Sequence, residues 1–376
     1  MKYLINIATF FLQCIYQCIK LCPVKNKVTM ISRQGNEPSI DFQLVEQEIK
    51  KKSPLTEVVV LCRTLDGGVK ATVFDKIRYG FHMFVQMYHI ATSKVVLLDT
   101  YCIVVSLLKH RKSLKVVQMW HSMGTMKLFG YTALDSQEGS SRKLAESMHM
   151  HANYNYFVSA SENYQDHLAK GFGCDESKAF ICPLPRYDLL KSSAYKKEMQ
   201  EKIFGRYPEL RNKKRILYCP TFRKNERLME DALNGLVEHL PEDYDLIVKL
   251  HPLSKFSIER ENVWDLKGFS TFDALFVADY VISDYSCVIY EAGVMELPLC
   301  YYIFDFDEYT QKRGFAIDYM KEVKGVISKN PAEIMEAIQK DDFHMDEIHT
   351  FINKYIQETD HATEKLVDFL MQTGRI

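Results

Sequence analysis

Short, continuous apolar runs alternate along this chain with longer segments whose apolar residues recur every three or four positions. Val28–Ser32, Glu57–Arg63, Lys94–Thr100, Lys115–Trp120 and Tyr156–Ala160 are of the first kind and predict strands. Asp41–Lys51 and Phe74–Ala91 are of the second kind and predict helices. A further series predicts strands at Arg215–Pro220, Tyr244–Leu250, Tyr280–Ser283 and Pro298–Phe304. Strands that are apolar on both faces and separated by helices belong to parallel sheets covered on both sides. Between the two series lies a polar, lysine-rich helical stretch, Lys191–Phe204, without a strong apolar strand. The pattern therefore predicts an α/β protein with two parallel-sheet domains, residues 25–190 and 191–343, and a helical tail over 344–376. Two such units in tandem place ligands in a cleft, at the carboxyl ends of the strands.

Residues 1–24 stand apart from this pattern. Asn6, Thr9, Gln13, Gln17 and Lys20 line one helical face, and Leu4, Ile5, Ile7, Phe10, Phe11, Cys14, Ile15 and Cys18 fill the rest. The apolar run is too interrupted for a bilayer span, and no small-residue cleavage site follows it. The first acidic residue is Glu37, whereas Lys2, Lys20, Lys25, Lys27 and Arg33 all precede it. A wide apolar face flanked by positive charge suits a helix lying in an anionic membrane surface. A first helix packed on the protein's own core is the other reading of the same residues.

Composition narrows the classes. Apolar residues make up 47% of the chain, enough for large cores and too many for general disorder. A formal net charge of -1 provides no basic field for nucleic acid. The ten cysteines form no CxxC pair and no regular spacing with histidine, which predicts neither a zinc site nor a disulfide framework. Reduced, largely buried thiols fit a cytoplasmic protein.

The candidate chemistry sits just after the predicted strands. The stretch from Tyr280 begins as a strand and turns through Ser283-Asp284-Tyr285-Ser286 before a helix of about two turns that ends ahead of Pro298. Serine hydroxyls and free helical N–H groups make an anion site there, although Ser286 also fits a plain helix cap. His121, at the end of Lys115–Trp120 and near the flexible Gly124, has the type and place of a general base, or of a structural hydrogen bond. Thr221 and Arg223 follow Arg215–Pro220, where a guanidinium fork meets either phosphate or a surface carboxylate. Lys249 and His251 share one face of an extended chain that Pro252 stops. Arg313 and Arg186 are further cations. The DxD matches Asp305–Asp307 and Asp243–Asp245 read as loop carboxylates, and His149 and His151 do not share a helix face, so no metal and no cofactor is expected. Lysine, histidines, arginines and serines at successive strand ends, with no carboxylate pair, are suited to holding a pyrophosphate and activating a hydroxyl.

Five motifs occur in order: VQMWHSMGTMKLFG (117–130), ILYCPTFR (216–223), IVKLHP (247–252), VISDYSCVIYE (281–291) and FDFDEYTQKRGF (304–315). Together they resemble the CDP-glycerol:glycerophosphate glycerophosphotransferase family of teichoic-acid and capsule synthesis, across roughly residues 115–320. The resemblance implies two Rossmann-like domains of the GT-B glycosyltransferase type and association with the cytoplasmic face of the membrane. It also implies transfer of glycerol phosphate or ribitol phosphate from a CDP-activated donor to a lipid-linked acceptor. By the same resemblance His121 is the base and His251 and Arg223 contact the donor phosphates. Ser283, Asp284 and Ser286 cradle the donor, with Thr221, Lys249 and Arg313 beside them. Cys287 stands where the family has a second serine, Glu291 where aspartate is common, and W-H-S-M-G replaces the commoner W-H-G-T. A sugar-nucleotide glycosyltransferase of the same architecture and an inactive membrane-surface scaffold are the alternatives.

Overall fold

The computed structural model describes residues 2–65, 71–137, 139–251, 254, 256 and 260–376. Pro252 and the side chains of Lys2, Leu4 and Asn6, all used above, lie outside the described residues. The chain divides into two compact units. Unit 1 comprises residues 1–123, 128–188 and 357–376, and unit 2 comprises residues 124–127 and 189–356.

Each unit is built on a six-stranded, wholly parallel sheet. In unit 1 the strands are β1 (Lys27–Ser32), β2 (Glu57–Cys62), β3 (Val95–Leu98), β4 (Lys115–Gln118), β5 (Tyr156–Ser159) and β6 (Ala179–Ile181), in the order β2-β1-β3-β4-β5-β6. In unit 2 they are β7 (Lys214–Cys219), β8 (Tyr244–Val248), β9 (Val263–Trp264), β10 (Tyr280–Ser283), β11 (Leu299–Tyr302) and β12 (Val326–Ser328), in the order β12-β11-β10-β7-β8-β9. Helices between the strands cover them, which is why β1, β3, β8, β10 and β11 are buried along their whole length.

Several sequence expectations shift in a consistent way. Seven of the nine predicted strands end one or two residues earlier than the apolar runs do, because the chain must turn toward the next helix, while β1 and β10 end at Ser32 and Ser283 as predicted. Trp120, for example, has a φ of 67°, which no strand ladder accommodates. Lys249, expected inside a strand, lies just beyond the end of β8. The three strands the periodicity did not announce, β6, β9 and β12, span two or three residues and are all sheet edges. Periodicity has nothing to register in elements that short.

The predicted single tail is split between the units. The helix Met345–Tyr355 belongs to unit 2 and packs on the helix Val288–Val294. The helix Ala362–Gly374 belongs to unit 1, where the backbone N–H groups of Ala362 and Thr363 donate to the Asp188 carboxylate at 2.7 and 2.9 Å. Its outer face pairs Glu364 and Asp368 with Lys52 at the end of α2 (Ile40–Lys52).

At the packing of Val288–Val294 on Met345–Tyr355, Gly293 lets the two helices approach closely. A Cβ at Gly293 would lie 2.3 Å from two carbons of the Ile352 side chain. Gly293→Ala should therefore destabilise the protein by about 1–3 kcal/mol through overpacking, measured from the denaturant midpoint. The loss should shrink in a Gly293→Ala/Ile352→Ala background, since the two positions share one contact.

Candidate active site

In unit 1 the chain leaves β4 and turns sharply at Trp120, whose backbone N–H donates to the Gln118 side chain at 2.9 Å. Gln118 is itself fully buried and held by the Thr100 carbonyl and the Tyr154 hydroxyl. A tryptophan in the left-handed region is strained, and this network holds it there. The turn brings His121 against the Trp120 ring, with ring centroids 4.3 Å apart. His121 Nδ1 lies 3.1 Å from the backbone oxygen of Asp99 at the end of β3. A carbonyl oxygen only accepts, so Nδ1 carries the proton and Nε2 keeps its lone pair.

Burial pushes the His121 pKa down to about 4, against a smaller upward pull from the Asp99 carbonyl and with a further downward push from Arg186. The ring is thus neutral at pH 7 and built as a proton acceptor. Arg186 is committed elsewhere. Its guanidinium and backbone N–H bind the buried Asp41 carboxylate, and one nitrogen reaches the His121 carbonyl at 3.3 Å. It positions the histidine turn.

Unit 2 gathers Thr221, Arg223 and Asp284 into one buried knot and adds Asp305, which the sequence reading had set aside as a loop carboxylate. Arg223 donates from Nε and a terminal nitrogen to the two Asp305 oxygens at 2.6 and 3.0 Å, and to Asp284 Oδ2 at 2.9 Å. Its other terminal nitrogen reaches the Thr221 carbonyl at 2.6 Å. Tyr309, Tyr285 and Phe304 surround the guanidinium at 4.8, 5.2 and 5.5 Å from their ring centres. Burial opposes the charge, but the Asp284 and Asp305 carboxylates outweigh it and hold the arginine protonated well above its ordinary value. Asp284 also accepts from the Thr221 N–H at 2.9 Å and hydroxyl at 2.7 Å.

The residue that sequence reasoning passed over is Lys127. The segment Gly124–Lys127 belongs to unit 2, where Lys127 bridges to Phe315 and the Met126 carbonyl accepts from Ala316 N–H at 2.7 Å. Lys127 Nζ donates to the Thr221 hydroxyl at 3.3 Å and lies 5.8 Å from the Tyr309 ring centre. Burial lowers its pKa, partly countered by Cys287 and Asp284 and reinforced by Arg313 and Arg223. It was visible only as the lysine of a loop six residues past a histidine.

The other candidates are placed as follows. His251 packs on Phe222 with ring centroids 5.3 Å apart, and desolvation followed by the nearby positive Lys127 keeps its pKa below normal. Arg313 ends the helix Phe306–Lys312 and is near enough to Lys127 to repel it. Ser286 stands at the start of Val288–Val294, with the Val288 N–H 3.5 Å from its hydroxyl. Ser283 is fully buried and its hydroxyl donates to the Cys219 carbonyl at 2.7 Å, which ties β10 to β7 and turns the group away from any ligand. Lys249 donates to Asp265 and the Leu266 carbonyl, at 3.4 and 3.2 Å. Asp307, the other half of the DxD match, pairs with Lys329 on the surface. Among the described residues no cluster of His, Cys, Asp and Glu could hold a metal ion.

The fold and the sequence both have relatives. The wall teichoic acid polymerase TagF matches with a TM-score of 0.77 at 17% identity, covering 100% of this chain and 98% of that one. A UDP-GlcNAc 2-epimerase from Methanocaldococcus jannaschii matches more loosely, with a TM-score of 0.59 at 13% identity over 92% of this chain and 99% of that one. These likenesses show a GT-B-like fold. By sequence the chain is 29% identical to the teichoic acid ribitol-phosphate primase of Bacillus spizizenii, over 93% of this chain and 92% of the relative. It is 26% identical to the teichoic acid glycerol-phosphate primase of Bacillus subtilis, over 98% and 97%. Against the teichoic acid poly(ribitol-phosphate) polymerase of Bacillus spizizenii it is 28% identical over 94% of its own length, but spans only 57% of that relative. A family model described as CDP-glycerol:poly(glycerophosphate) glycerophosphotransferase matches residues 15–372, and the chain belongs to that family.

Proposed function

We propose that this protein transfers glycerol phosphate or ribitol phosphate from its CDP-activated form to a hydroxyl of a lipid-linked acceptor, releasing CMP, at the cytoplasmic face of the membrane. The observation that carries the reading is His121, a partly buried neutral imidazole whose protonated Nδ1 leaves Nε2 as a fixed proton acceptor. His121 takes the proton as the acceptor oxygen attacks the β-phosphorus, the bond from that phosphorus to the bridging oxygen breaks, and the electron pair leaves with CMP. Lys127, His251, Arg313 and Ser286 stabilise charge on the phosphoryl oxygens. Arg223 and Asp284 act behind them, holding Thr221 and through it Lys127.

The membrane part rests on α1 (Lys2–Ile19). Its C-terminal half is anchored to unit 1: Tyr16 is wholly buried and bonds His110 at 2.8 Å, Gln13 accepts from Lys109 N–H, and Arg111 reaches the carbonyls of Lys20 and Cys22. Its outer face leaves Phe10 and Phe11 65% and 62% exposed. In α3 (Val73–Thr92), which contacts α1, Phe74, Ile77, Phe81 and Phe84 are exposed as well. No helix among the described residues is long and apolar enough to cross a membrane. An apolar face of this kind beside lysines suits the interface plane.

Three outcomes test the reading. His121→Ala should lower kcat by about a hundredfold or more with donor affinity nearly unchanged, followed by CMP release from CDP-glycerol and CDP-ribitol. CDP or UDP as the product would place the protein with the sugar-nucleotide glycosyltransferases instead. Because the base works unprotonated and burial holds His121 at about 4, kcat/KM should persist as pH falls through the 6.5 of an ordinary imidazole and be lost only nearer 4.

Lys127→Ala and His251→Ala should weaken donor binding in a folded protein. Arg223→Ala should instead destabilise the fold by about 3–5 kcal/mol, since it strands two buried carboxylates, as read by denaturant titration.

Phe10→Ser/Phe11→Ser should reduce sedimentation with anionic vesicles while preserving turnover on a short soluble acceptor. Deleting residues 1–22 would be a poorer test, because it also removes the buried Tyr16.

A further inference from the structure

The described residues of unit 1 line an open polar cavity of about 420 Å³ that none of the chemistry above uses. It opens past the carboxyl end of β2 and is lined by Asn36, Arg63, Thr64, Asp75, Arg78 and Tyr79, among others. Among the described residues, the side chains of Arg63 and Arg78 have no carboxylate partner. Asp75, the one acid on the wall among the described residues, receives the Thr72 hydroxyl at 2.5 Å and its N–H bonds Thr72 Oγ1, so it belongs to the cap of α3. Behind the wall Arg33 sits 5.9 Å from the centre of the Tyr79 ring with its Nε buried and unbonded among the described residues. Among the described residues the wall thus carries two guanidinium forks against one carboxylate. That is the donor geometry that phosphate oxygens select over a point charge.

Its place on the sheet says which phosphate. Cys62 is level with Ser32, and Ile31 with Leu98 and then Gln118, so the cavity and the His121 turn lie at the same carboxyl edge. Three strand spacings of about 4.8 Å each separate them. A group held in the cavity is therefore too far from His121 to react, and near enough to belong to the same extended substrate. The helix that supplies Arg78 and Tyr79 also carries the exposed Phe74, Ile77 and Phe81.

We propose that this cavity is an acceptor subsite, binding a phosphodiester of the growing polyol phosphate chain upstream of the hydroxyl that reacts at His121. The proposal rests on the polyol-phosphate transferase reading, and adds to it that the enzyme grips the acceptor through its phosphates. Arg63 and Arg78 are binding residues here, and donor recognition does not involve them.

The test uses the full-length protein and a short synthetic oligo(glycerol phosphate) without lipid. Its direct binding is measured by calorimetry in the absence of donor, and KM for acceptor and donor is measured separately. Arg63→Ala/Arg78→Ala should weaken binding and raise acceptor KM by about tenfold or more, the size of losing a charge-assisted hydrogen bond. Donor KM should stay within twofold of wild type, by the estimate that distant sites act nearly independently. Arg78→Glu, on an exposed helix surface, keeps the test open should the double variant fold poorly, and is expected to act in the same direction. Rising salt should weaken binding in wild type more than in either variant.

Unchanged oligomer binding in both variants would overturn the proposal, and so would a change confined to donor KM. A loss seen only with anionic vesicles, with the soluble oligomer unaffected, would assign the cavity to a lipid headgroup and equally overturn it. Binding that depends on Arg63 and Arg78 in a protein that releases no CMP would uphold the subsite while removing the transferase reading.

Discussion

The knot of Arg223 between Asp284 and Asp305 is the constraint on which unit 2 depends. Thr221 and Arg223 follow β7, Asp284 follows β10 and Asp305 follows β11, and these three strands are neighbours in the sheet. One guanidinium thus pins the carboxyl ends of three adjacent strands. Taking two carboxylates and a guanidinium out of water is unfavourable unless nearly every donor and acceptor is matched, and here the fork is matched to both acids and to a backbone carbonyl. The aromatic rings packed around it exclude water and add cation–π attraction. With one positive charge against two negative, the knot favours a further cation beside it. Lys127, bonded to Thr221, fills that place.

Unit 1 solves a different problem with the same economy of charge. In the proposed mechanism its base must be neutral, and among the described residues the His121 ring packs on Trp120 and is tethered by the Asp99 carbonyl oxygen. Desolvation dominates the pKa, and the nearby Arg186 acts in the same direction while being held itself by Asp41. The strained Trp120 turn fixes the ring against Asp99. In the proposed reaction, a base held in one tautomer and orientation needs no reorganisation when the hydroxyl arrives.

Much of this was legible in the sequence, because long apolar runs and strand-end chemistry are local signals. The positions of the buried strands, the helices between them and the family motifs all came from contiguous residues. What was not legible depends on pairing at a distance. Arg223 meets Asp305 across 82 residues, so the arginine looked like a phosphate ligand and the aspartate like a loop residue. Ser283 looked available until β7 was placed beside β10, where the Cys219 carbonyl takes its hydroxyl. Lys249 seemed costly inside a strand, and the strand stops one residue short of it. The tail read as one amphipathic stretch because periodicity records that a face is buried and not which unit buries it.

The first helix shows how two readings of one pattern need not exclude each other. An amphipathic stretch was set either on the protein or on the membrane, yet α1 has residues for each: Tyr16 faces inward at zero exposure, while Phe10 and Phe11 face outward. Exposed phenylalanines are unfavourable in water, each by about 1.5–3 kcal/mol relative to burial, and α3, which contacts α1, exposes apolar residues of its own. Because α3 carries this apolar face and also Arg78 of the cavity, one helix joins an exposed apolar surface to a wall that bears guanidinium groups. An acceptor with a lipid at one end and phosphates along its length has that same order of chemistry. On the proposed reading, the helix links the place where the acceptor would be anchored to the sheet edge where His121 stands.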